Sequence, residues 1–362
     1  MKNTLDHIIS VLVSLVLIVV AFCFLFSHLK NSKDTDRETP LTQIDQRAIE
    51  RQSSEEQTQN TEYWLTDDEL SEALGRKVID ISSNEENYLM TFDSPPIEGL
   101  EVHFIDVGQG DATLINCQGH YMLIDGGDDL VGTLLQNYLI KHGVNYLDYV
   151  VMTHGDADHC GGLDVVISKF DIGTIFTCGF KKDTWTEKAV YDAIEYRGFD
   201  YVHPSFENTF SLGDADCYIL GPVTYDLGEG DVNNASIVIK VVYGTTSFLF
   251  MGDAEEPEEA SILSASHTDL HADVIKLGHH GSNTASSEEW IKSVNPSAAV
   301  VSCSLGNSFG HPHPSVLNYL RKNNISLYRT DEDGTVIAES DGINIRWNVP
   351  PSVSWKSGWD YQ

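Results

Sequence analysis

Short blocks of alternating or continuous hydrophobic residues run along most of this chain, and they predict many short strands separated by amphipathic helices. From residue 99 onward, LEVHFIDV, ATLINC and HYMLIDGG predict strands with glycine turns, and DLVGTLLQNYLIKHG predicts a helix that ends at Gly143. Further strands are predicted in LDYVVMTH, KFDIGTIFTC, DADCYIL, SIVIKVVYG, TSFLFMGD, ADVIKLGHH, SAAVVSC and ISLYRTDEDGTVIAE, and further helices in EEPEEASILSA, SSEEWIKSV and PSVLNYLRKN. Two blocks of strands with helices between them indicate an α/β (α+β) fold with two central sheets and outer helices.

A continuous apolar segment near the N-terminus departs from this pattern. Residues 8–27 carry no charge, and about 20 such residues are enough to cross the hydrocarbon core of a bilayer. We therefore expect a short N-terminal tail at residues 1–7, a single transmembrane helix at residues 8–27 and a body that lies outside the cytoplasm at the cell membrane. A cleaved signal peptide is the alternative, but this run ends in the bulky Phe24, Leu25 and Phe26.

The rest of the chain divides by composition. Residues 28–65 are rich in Gln, Ser, Thr, Asp and Glu, which is typical of a solvated linker. Residues 66–98 form a lead-in with a short helix expected from Thr66, whose hydroxyl can cap the acidic turn that follows. The main domain is predicted at residues 99–348, and residues 349–362 are interpreted as a tail.

Composition and charge narrow the classes of partner. With 41% hydrophobic residues among 362, the chain can bury a sizeable core. Its 55 Asp and Glu against 22 Lys and Arg give a net charge of −33, which excludes broad electrostatic adhesion to nucleic acids or anionic lipids. A nucleic acid is disfavoured and would have to be captured locally, whereas a small neutral or zwitterionic ligand is compatible with this charge. The sequence makes no prediction of oligomeric state.

The segment THGDADH, directly after the apolar strand YVVMT, carries the candidate chemistry. His154, Asp156, Asp158 and His159 lie within six residues, and imidazole and carboxylate groups at a strand end can converge on a divalent cation. Their alternate spacing lets one pair face one way and the other pair another, which suits two adjacent metal ions. A solvated polar turn is the alternative interpretation.

Two further strands end in the same kind of residue. FLFMGDAEE places Asp253 where a carboxylate can bridge two ions, and VIKLGHHGS offers His279 and His280. If the strand continues, adjacent histidines point to opposite sides, so we expect one ligand and one residue that lines the pocket. His280 is favoured as the ligand. Three strand ends that deliver His or Asp to a common edge indicate a metal site.

The ordered motifs FIDVGQGDA, LIDGG, THGDADHCGGL, NNASIVI, FMGDAEE, VIKLGHHGS, GNSFGHPHP and YRTDEDGTV resemble the metallo-β-lactamase fold, and within it the hydrolase domain of ComEC-type competence proteins. The resemblance covers about two-thirds of the chain, from Leu100 to Trp347. It implies an αββα sandwich, here behind a single N-terminal transmembrane helix, with a dinuclear metal site at one edge of the two sheets. It also implies that His154, Asp156, Asp158, His159, Asp253 and the His279–His280 pair hold the ions.

The resemblance assigns further residues around the site. Asn233 and Asn234 occupy the position at which true β-lactamases have another histidine, and with Ser236 they are expected to bind substrate oxygens. His311 is expected to hydrogen-bond an oxyanion or protonate a leaving group, although its loop can equally be a helix entry. The residues predicted to support the ligands without holding metal are Asp106, Asp111 and Asp125, and Asn307 is a further candidate substrate contact.

These residues predict metal-assisted hydrolysis. Two divalent ions, Zn²⁺ or alternatively Mn²⁺, lower the pKa of a bridging water, and Asp158 would orient the resulting hydroxide. The first expectation is a membrane-anchored phosphodiesterase that acts on a small phosphoester or zwitterionic substrate. The alternatives are a lactam, lactone or thioester hydrolase, a nuclease linked to DNA uptake, and a non-catalytic binding module on the same fold.

Overall fold

Two mixed β-sheets form the centre of the domain. The computed structural model describes residues 98–227 and 232–362. The first sheet has the strand order β15-β14-β1-β2-β3-β4-β5-β6 and the second the order β13-β12-β11-β10-β9-β8-β7. In chain order the strands are β1 (Leu100–Phe104), β2 (Thr113–Cys117), β3 (His120–Ile124), β4 (Tyr146–Met152), β5 (Asp171–Thr177), β6 (Tyr201–Val202), β7 (Thr209–Leu212), β8 (Ala215–Gly221), β9 (Val238–Tyr243), β10 (Thr246–Phe250), β11 (Val274–Lys276), β12 (Ala298–Val301), β13 (Ser326–Arg329), β14 (Val336–Ser340) and β15 (Ile345–Trp347).

Eight α-helices of the described residues connect these strands. They are α1 (Gly132–Lys141), α2 (Ala157–Cys160), α3 (Leu163–Lys169), α4 (Trp185–Arg197), α5 (Glu256–Ala265), α6 (Glu288–Val294), α7 (Pro314–Lys322) and α8 (Thr330–Asp333). Short 3₁₀ turns lie at Asn233–Ala235 and Gly278–Gly281, both next to the candidate site.

The apolar side chains sort into three layers of core. One cluster, with Phe104 and Phe248 among its members, lies between the two sheets. A second joins the outer face of the first sheet to α1, α3 and α4, and a third joins the outer face of the second sheet to α5, α6 and α7. Because each sheet buries one face against the other sheet and one against helices, the arrangement is αββα. The expectation of two central sheets and outer helices is confirmed.

The structure departs from the strand and helix predictions at two places. Helix α4 was not predicted, because its apolar residues are few and its surface is highly charged; it is defined instead by the Thr184 cap and by Gly198, which ends it at φ 68°. The run ISLYRTDEDGTVIAE is two strands in different sheets, since α8 carries the chain from β13 of the second sheet to β14 of the first.

The C-terminal segment lies against the domain. The Arg329 side chain donates to the Lys356 carbonyl, and Trp359 packs on Gly310 and against the His313 ring. Residues 349–362, set apart above as a tail, therefore contact the loop that carries His311.

Residues 1–97 lie outside the described part of the chain, and with them the predicted anchor, the linker and nearly all of the lead-in. In residues 98–227 and 232–362, no helix has both the length and the apolar character that a membrane crossing needs.

Candidate metal centre

Four strands bring the candidate ligands to one edge of the sandwich. Strands β3 and β4 run parallel in the first sheet, and β10 and β11 run parallel in the second. Each of these strands is followed by a polar residue named above: Asp125 after β3, the THGDADH segment after β4, Asp253 after β10 and the histidine pair after β11. Because the carboxyl ends of parallel strands meet at one edge of a sheet, the topology itself assembles the site.

His159 is held by a buried carboxylate. Its Nδ1 lies 2.8 Å from Asp125 Oδ2, and Asp125 also accepts hydrogen bonds from the Thr153 backbone at 2.8 Å and the Thr153 hydroxyl at 2.7 Å. With a proton on Nδ1 donated to Asp125, the Nε2 lone pair faces the centre. The structure therefore places Asp125 behind His159, and its role in supporting a metal ligand stays a prediction.

Asp158, His159, Asp253 and His280 face one another across a few ångström. His159 Nε2 lies 3.1 Å from Asp253 Oδ1 and 3.3 Å from His280 Nε2. His280 Nε2 lies 3.2 Å from Asp158 Oδ2 and 3.7 Å from Asp253 Oδ2. We call these four residues the ligand cluster. Two imidazoles and two carboxylates at such spacing are a donor set that suits Zn²⁺ or Mn²⁺.

Asp111 also comes close, and a compact group of Asp111, His159, Asp253 and His280 offers ligand atoms within 4.8 Å of one another. We favour Asp158 over Asp111 as the fourth ligand. Asp111 lies on the Nδ1 side of His280, 3.8 Å from a nitrogen that already donates to the Ser302 carbonyl at 2.9 Å.

The other oxygen of Asp111 is 2.8 Å from Lys276 Nζ. Both side chains are almost fully buried, with 7% and 3% exposed. Asp111 is thus held by a buried ion pair with Lys276, and its supporting role stays a prediction. Lys276 is a residue beside the site that was not predicted. Its signal in the sequence is a lysine inside an otherwise apolar strand.

The charges of the cluster compensate one another. Burial acts to lower the pKa of His159, but the carboxylates of Asp253 and Asp125 outweigh it and hold that pKa well above the ordinary value. Burial likewise acts to raise the pKa of Asp253, and His159 and His280 instead hold it well below. A divalent ion would replace the protons on the two imidazoles, so the residues present fit such an ion.

His154 and Asp156 lie on the other side of Asp253. His154 Nε2 is 3.9 Å from Asp253 Oδ2, is fully buried and has no hydrogen-bond partner among the described residues. Burial lowers the pKa of His154, so its ring is neutral and its free nitrogen suits a metal. Asp156 Oδ1 instead lies 2.5 Å from Lys182 Nζ, a residue that was not predicted.

The expectation that His279 and His280 point to opposite sides was wrong, because the strand ends at Lys276 and both histidines adopt left-handed backbone conformations. Both rings reach the same carboxylate, since His279 Nε2 lies 3.8 Å from Asp253 Oδ2. His279 Nδ1 donates to Glu255 Oε1 at 2.8 Å, which orients its Nε2 toward the centre. His280, the more buried of the two, belongs to the ligand cluster.

The side chains of Asn234 and Ser236 accept hydrogen bonds from the backbone of the protein. The buried Asn234 Oδ1 accepts from the backbone of Glu255 at 3.0 Å, and Ser236 Oγ accepts from the Asp253 backbone at 3.0 Å. Both therefore hold the loop that presents Asp253. Asn233 donates to Glu255 Oε1 at 3.3 Å. Contact of these side chains with substrate oxygens stays a prediction.

The GHPHP loop combines both interpretations given to it. His313 precedes α7 as its N-cap, so the loop is a helix entry. His311 nevertheless packs on the site, with its ring 5.3 Å from that of His279 and 6.0 Å from that of His280. Burial, together with the neighbouring histidines, lowers the pKa of His311 to about 3, and its Nδ1 is buried without a hydrogen-bond partner among the described residues. A neutral imidazole can donate a hydrogen bond, but it cannot protonate a leaving group at neutral pH.

Asn307 and Asp106 shape the loops around the site. Asn307 Nδ2 donates to the His311 carbonyl at 2.6 Å and its Oδ1 accepts from the His311 backbone at 3.0 Å, so its amide is spent on the GHPHP loop. Asp106 Oδ1 accepts from the Gly108 backbone at 3.1 Å and thereby fixes the turn that leads to Asp111. Asp106 thus supports the site from a distance.

Comparison with known proteins places this geometry in context. A model of the metallo-beta-lactamase superfamily matches residues 105–304. ComE operon protein 3 of Bacillus subtilis is 29% identical over 255 residues, which cover 65% of this chain and 32% of that protein. Competence protein ComA of Neisseria gonorrhoeae is 30% identical over 243 residues, with 64% and 31% covered. The chain thus spans about a third of the length of these curated relatives.

Among solved structures, Igni18, a metallo hydrolase from Ignicoccus hospitalis, aligns with a TM-score of 0.44 at 16% identity and covers 67% of this chain and 100% of its own. The resemblance drawn from the motifs, to the metallo-β-lactamase fold and to ComEC-type competence proteins, is confirmed by the family match and the curated relatives.

Proposed function

Because this chain belongs to the metallo-β-lactamase superfamily, we propose that it is a metal-dependent phosphodiesterase whose metal is held by Asp158, His159, Asp253 and His280. The observation that carries the proposal is the ligand cluster itself, four buried or half-buried donors from two sheets that converge within hydrogen-bond distance. A divalent ion held there would supply Lewis acidity toward a phosphoryl oxygen and lower the pKa of water toward neutrality. The choice between Zn²⁺ and Mn²⁺ belongs to the proposal.

Asp158 is the member of the ligand cluster that water and substrate can reach. Its side chain is 31% exposed, whereas that of Asp253 is 4% exposed. Burial acts to raise the pKa of Asp158, but the hydrogen bond with His280 and the two histidine charges hold it well below the ordinary value. The carboxylate is therefore ionised at neutral pH and accepts a hydrogen bond from the attacking water.

The neighbouring histidines complete the reaction site. In the proposed hydrolysis an oxygen of water forms a bond to phosphorus, the ester P–O bond breaks, and the leaving alkoxide takes a proton. Because His311 is neutral, we assign it a hydrogen bond to a non-bridging oxygen and not the protonation step. His279, whose Nδ1 donates to Glu255, directs Nε2 toward the same space.

The substrate class rests on the pattern of the site and on charge. By the resemblance, Asn233 and Asn234 occupy the position at which lactam-cleaving relatives have a histidine. The Asn234 oxygen accepts a hydrogen bond from the Glu255 backbone, in the loop that presents Asp253. The lack of that histidine disfavours lactam hydrolysis. A net charge of −33 favours a small or zwitterionic phosphodiester over a long polyanion. We further propose that residues 8–27 tether the domain to the membrane and that the domain of residues 99–348 extends through the packed C-terminal segment.

A nuclease is the second candidate. The observation that favours it is that both curated relatives described above carry competence names, ComE operon protein 3 and Competence protein ComA. DNA is a phosphodiester, so the same cluster and the same Asp158 would act on it.

One assay tests the proposal and ranks the candidates. The purified full chain is incubated with bis-p-nitrophenyl phosphate, p-nitrophenyl phosphorylcholine, single-stranded DNA and a chromogenic lactam, before and after chelation and metal restoration. We expect metal-dependent cleavage of a phosphodiester, and loss of it in the Asp158→Ala/His159→Ala double variant. Asp148→Asn, a matched change at a distant histidine–carboxylate pair, should keep it. Turnover that survives chelation, or cleavage of the lactam alone, would refute the phosphodiesterase.

A further inference from the structure

Lys182 lies against the motif that supplies most of the candidate ligands. Its Nζ is 2.5 Å from Asp156 Oδ1, and the two side chains are only 35% and 25% exposed. Asp156 is the one member of the THGDADH quartet that is engaged with a cation of the protein and not with the ligand cluster. The Lys182 ammonium therefore contacts Asp156, the carboxylate that would bind the second ion of a dinuclear centre.

The backbone places Lys182 there, independently of its side chain. The buried Glu187 carboxylate accepts hydrogen bonds from the backbone of Lys182 at 2.9 Å and of Asp183 at 2.7 Å. The same segment packs directly on Gly155, because a Cβ added to Gly155 would lie 2.7 Å from Glu187 Oε1 and 3.2 Å from Lys182 Cβ. The loop before α4 is therefore built onto the metal motif.

The donors left for a second ion lie further apart than those of the ligand cluster. His154 Nε2 and His279 Nε2 lie 3.9 Å and 3.8 Å from Asp253 Oδ2, but the carboxylate of Asp156 on this side is paired with Lys182. Asn234, of the Asn233–Asn234 pair that the resemblance puts near a further histidine position, accepts backbone hydrogen bonds with its oxygen. Within residues 98–227 and 232–362, the compact group of ligand atoms is the one formed by Asp111, His159, Asp253 and His280, on the other side of Asp253 from His154. The potential ligand atoms for the second ion therefore converge less closely than those for the first.

We propose that Lys182 supplies the second positive charge of this centre: one divalent ion binds tightly at the Asp158–His159–Asp253–His280 cluster, and the Lys182 ammonium takes the place of the second ion. An ammonium and a divalent ion cannot both sit on Asp156 without strong repulsion, so Lys182 lowers the affinity for a second ion. The centre becomes a hybrid of one metal and one lysine.

The hybrid gives Lys182 a role in the reaction. The Lys182 ammonium donates to a non-bridging phosphoryl oxygen of the substrate and balances the charge that develops on it. Only this choice of a phosphoryl group rests on the proposed function. An ammonium is a compact point charge that suits a phosphoryl oxygen. The role is electrostatic, and no bond is made or broken at Lys182.

Metal titration of the purified full chain tests the inference. Zn²⁺ and Mn²⁺ are titrated against a chelator into wild type, Lys182→Met, Lys182→Arg and the control Lys188→Met, and bound metal is counted by mass spectrometry. Lys188 is a matched control because it forms an exposed pair with Asp192 on α4. Electron paramagnetic resonance of the Mn²⁺ forms separates an isolated ion from a coupled pair.

We expect one tightly bound ion and an isolated Mn²⁺ signal in wild type, Lys182→Arg and Lys188→Met. In Lys182→Met the second ion should bind on the order of tenfold more tightly and give a coupled signal. Two ions of equal affinity in wild type, or a Lys182→Met chain that binds the second ion no better, would overturn the inference.

Hydrolysis of bis-p-nitrophenyl phosphate separates this inference from the proposed function. With one ion bound, Lys182→Met should lose about tenfold or more in kcat, Lys182→Arg should retain most of it, and excess metal should restore Lys182→Met. A wild type without any phosphodiester turnover contradicts the proposed function, and the metal counts still decide whether Lys182 excludes the second ion.

Discussion

Replacing Asp125 with asparagine should switch the tautomer of His159. Asp125 accepts three hydrogen bonds, from the Thr153 backbone and hydroxyl and from His159 Nδ1, at 2.7 to 2.8 Å. If the amide oxygen introduced by Asp125→Asn keeps the backbone contact, the new NH₂ group faces Nδ1 and donates to it. The proton of His159 must then sit on Nε2, the nitrogen that the ligand cluster needs.

The size of the effect follows from this geometry. A lone pair on Nε2 is available only in the less favourable tautomer, and loss of such an orienting partner typically weakens metal binding by about 10- to 100-fold. The same loss equals about 1.4 to 2.7 kcal/mol of binding free energy. Because the substitution is isosteric and keeps the hydrogen bond to Thr153, the fold should survive it.

Chelator competition monitored by bound Zn²⁺ measures the affinity, and circular dichroism monitors the fold. Asp148→Asn is the control, because Asp148 also accepts from a histidine Nδ1, that of His120 at 3.0 Å, and from a backbone amide at 2.8 Å, far from the cluster. An Asp125→Asn chain that folds normally and binds Zn²⁺ as tightly as Asp148→Asn would show that the tautomer argument is wrong.

Three further outcomes are expected. Lys276→Met should lower the free energy of unfolding by about 3 to 5 kcal/mol, because it leaves the buried Asp111 charge unpaired, and urea denaturation should show part of the loss recovered in Lys276→Met/Asp111→Asn. Gly110→Ala should weaken both stability and metal binding, since its Cβ would lie 2.3 Å from the Asp158 carbonyl at φ 142°, and unchanged metal titration would contradict this. Burial lowers the pKa of His142 to about 4, against about 6.5 in the unfolded chain. Wild type should therefore lose about 2 kcal/mol relative to His142→Gln as the pH falls from 7 to 5, or about 1 kcal/mol once solvent screening of the part-exposed ring is counted. Parallel urea curves at the two pH values would count against this.

Much of the fold followed from local pattern, and the exceptions have physical causes. Strands β4 and β10 end in apolar runs, residues 149–152 and 248–250, that are buried on both faces, so the polar residues after them stand out. Helix α4 escaped prediction because its structure depends on a cap and on tertiary contacts of Val190 and Ile194 more than on an apolar stripe.

The same distinction applies to the site. His159 and Asp253 lie in segments that follow strands, and residue type and spacing along the chain predicted them as ligands, whereas Asp125 was predicted from the resemblance carried by LIDGG. The partners of Asp156 and His279 were harder to predict, because Lys182 and Glu255 contact them across loops whose paths no local pattern encodes. The orientation of the histidine pair failed for a related reason: the assumption of a continuing strand broke at Leu277, beyond which the backbone turns left-handed.

The two histidines of the cluster come from opposite sheets and are separated by 121 positions along the chain. Their meeting is therefore one of the long-range contacts of the fold, which form more slowly than contacts within a helix or hairpin. A fragment that contains either half of the sandwich holds at most half of the donors. Metal binding by the newly synthesised chain should therefore come late in folding, when the two halves of the sandwich have packed together. The bound ion would then slow the separation of these halves during unfolding.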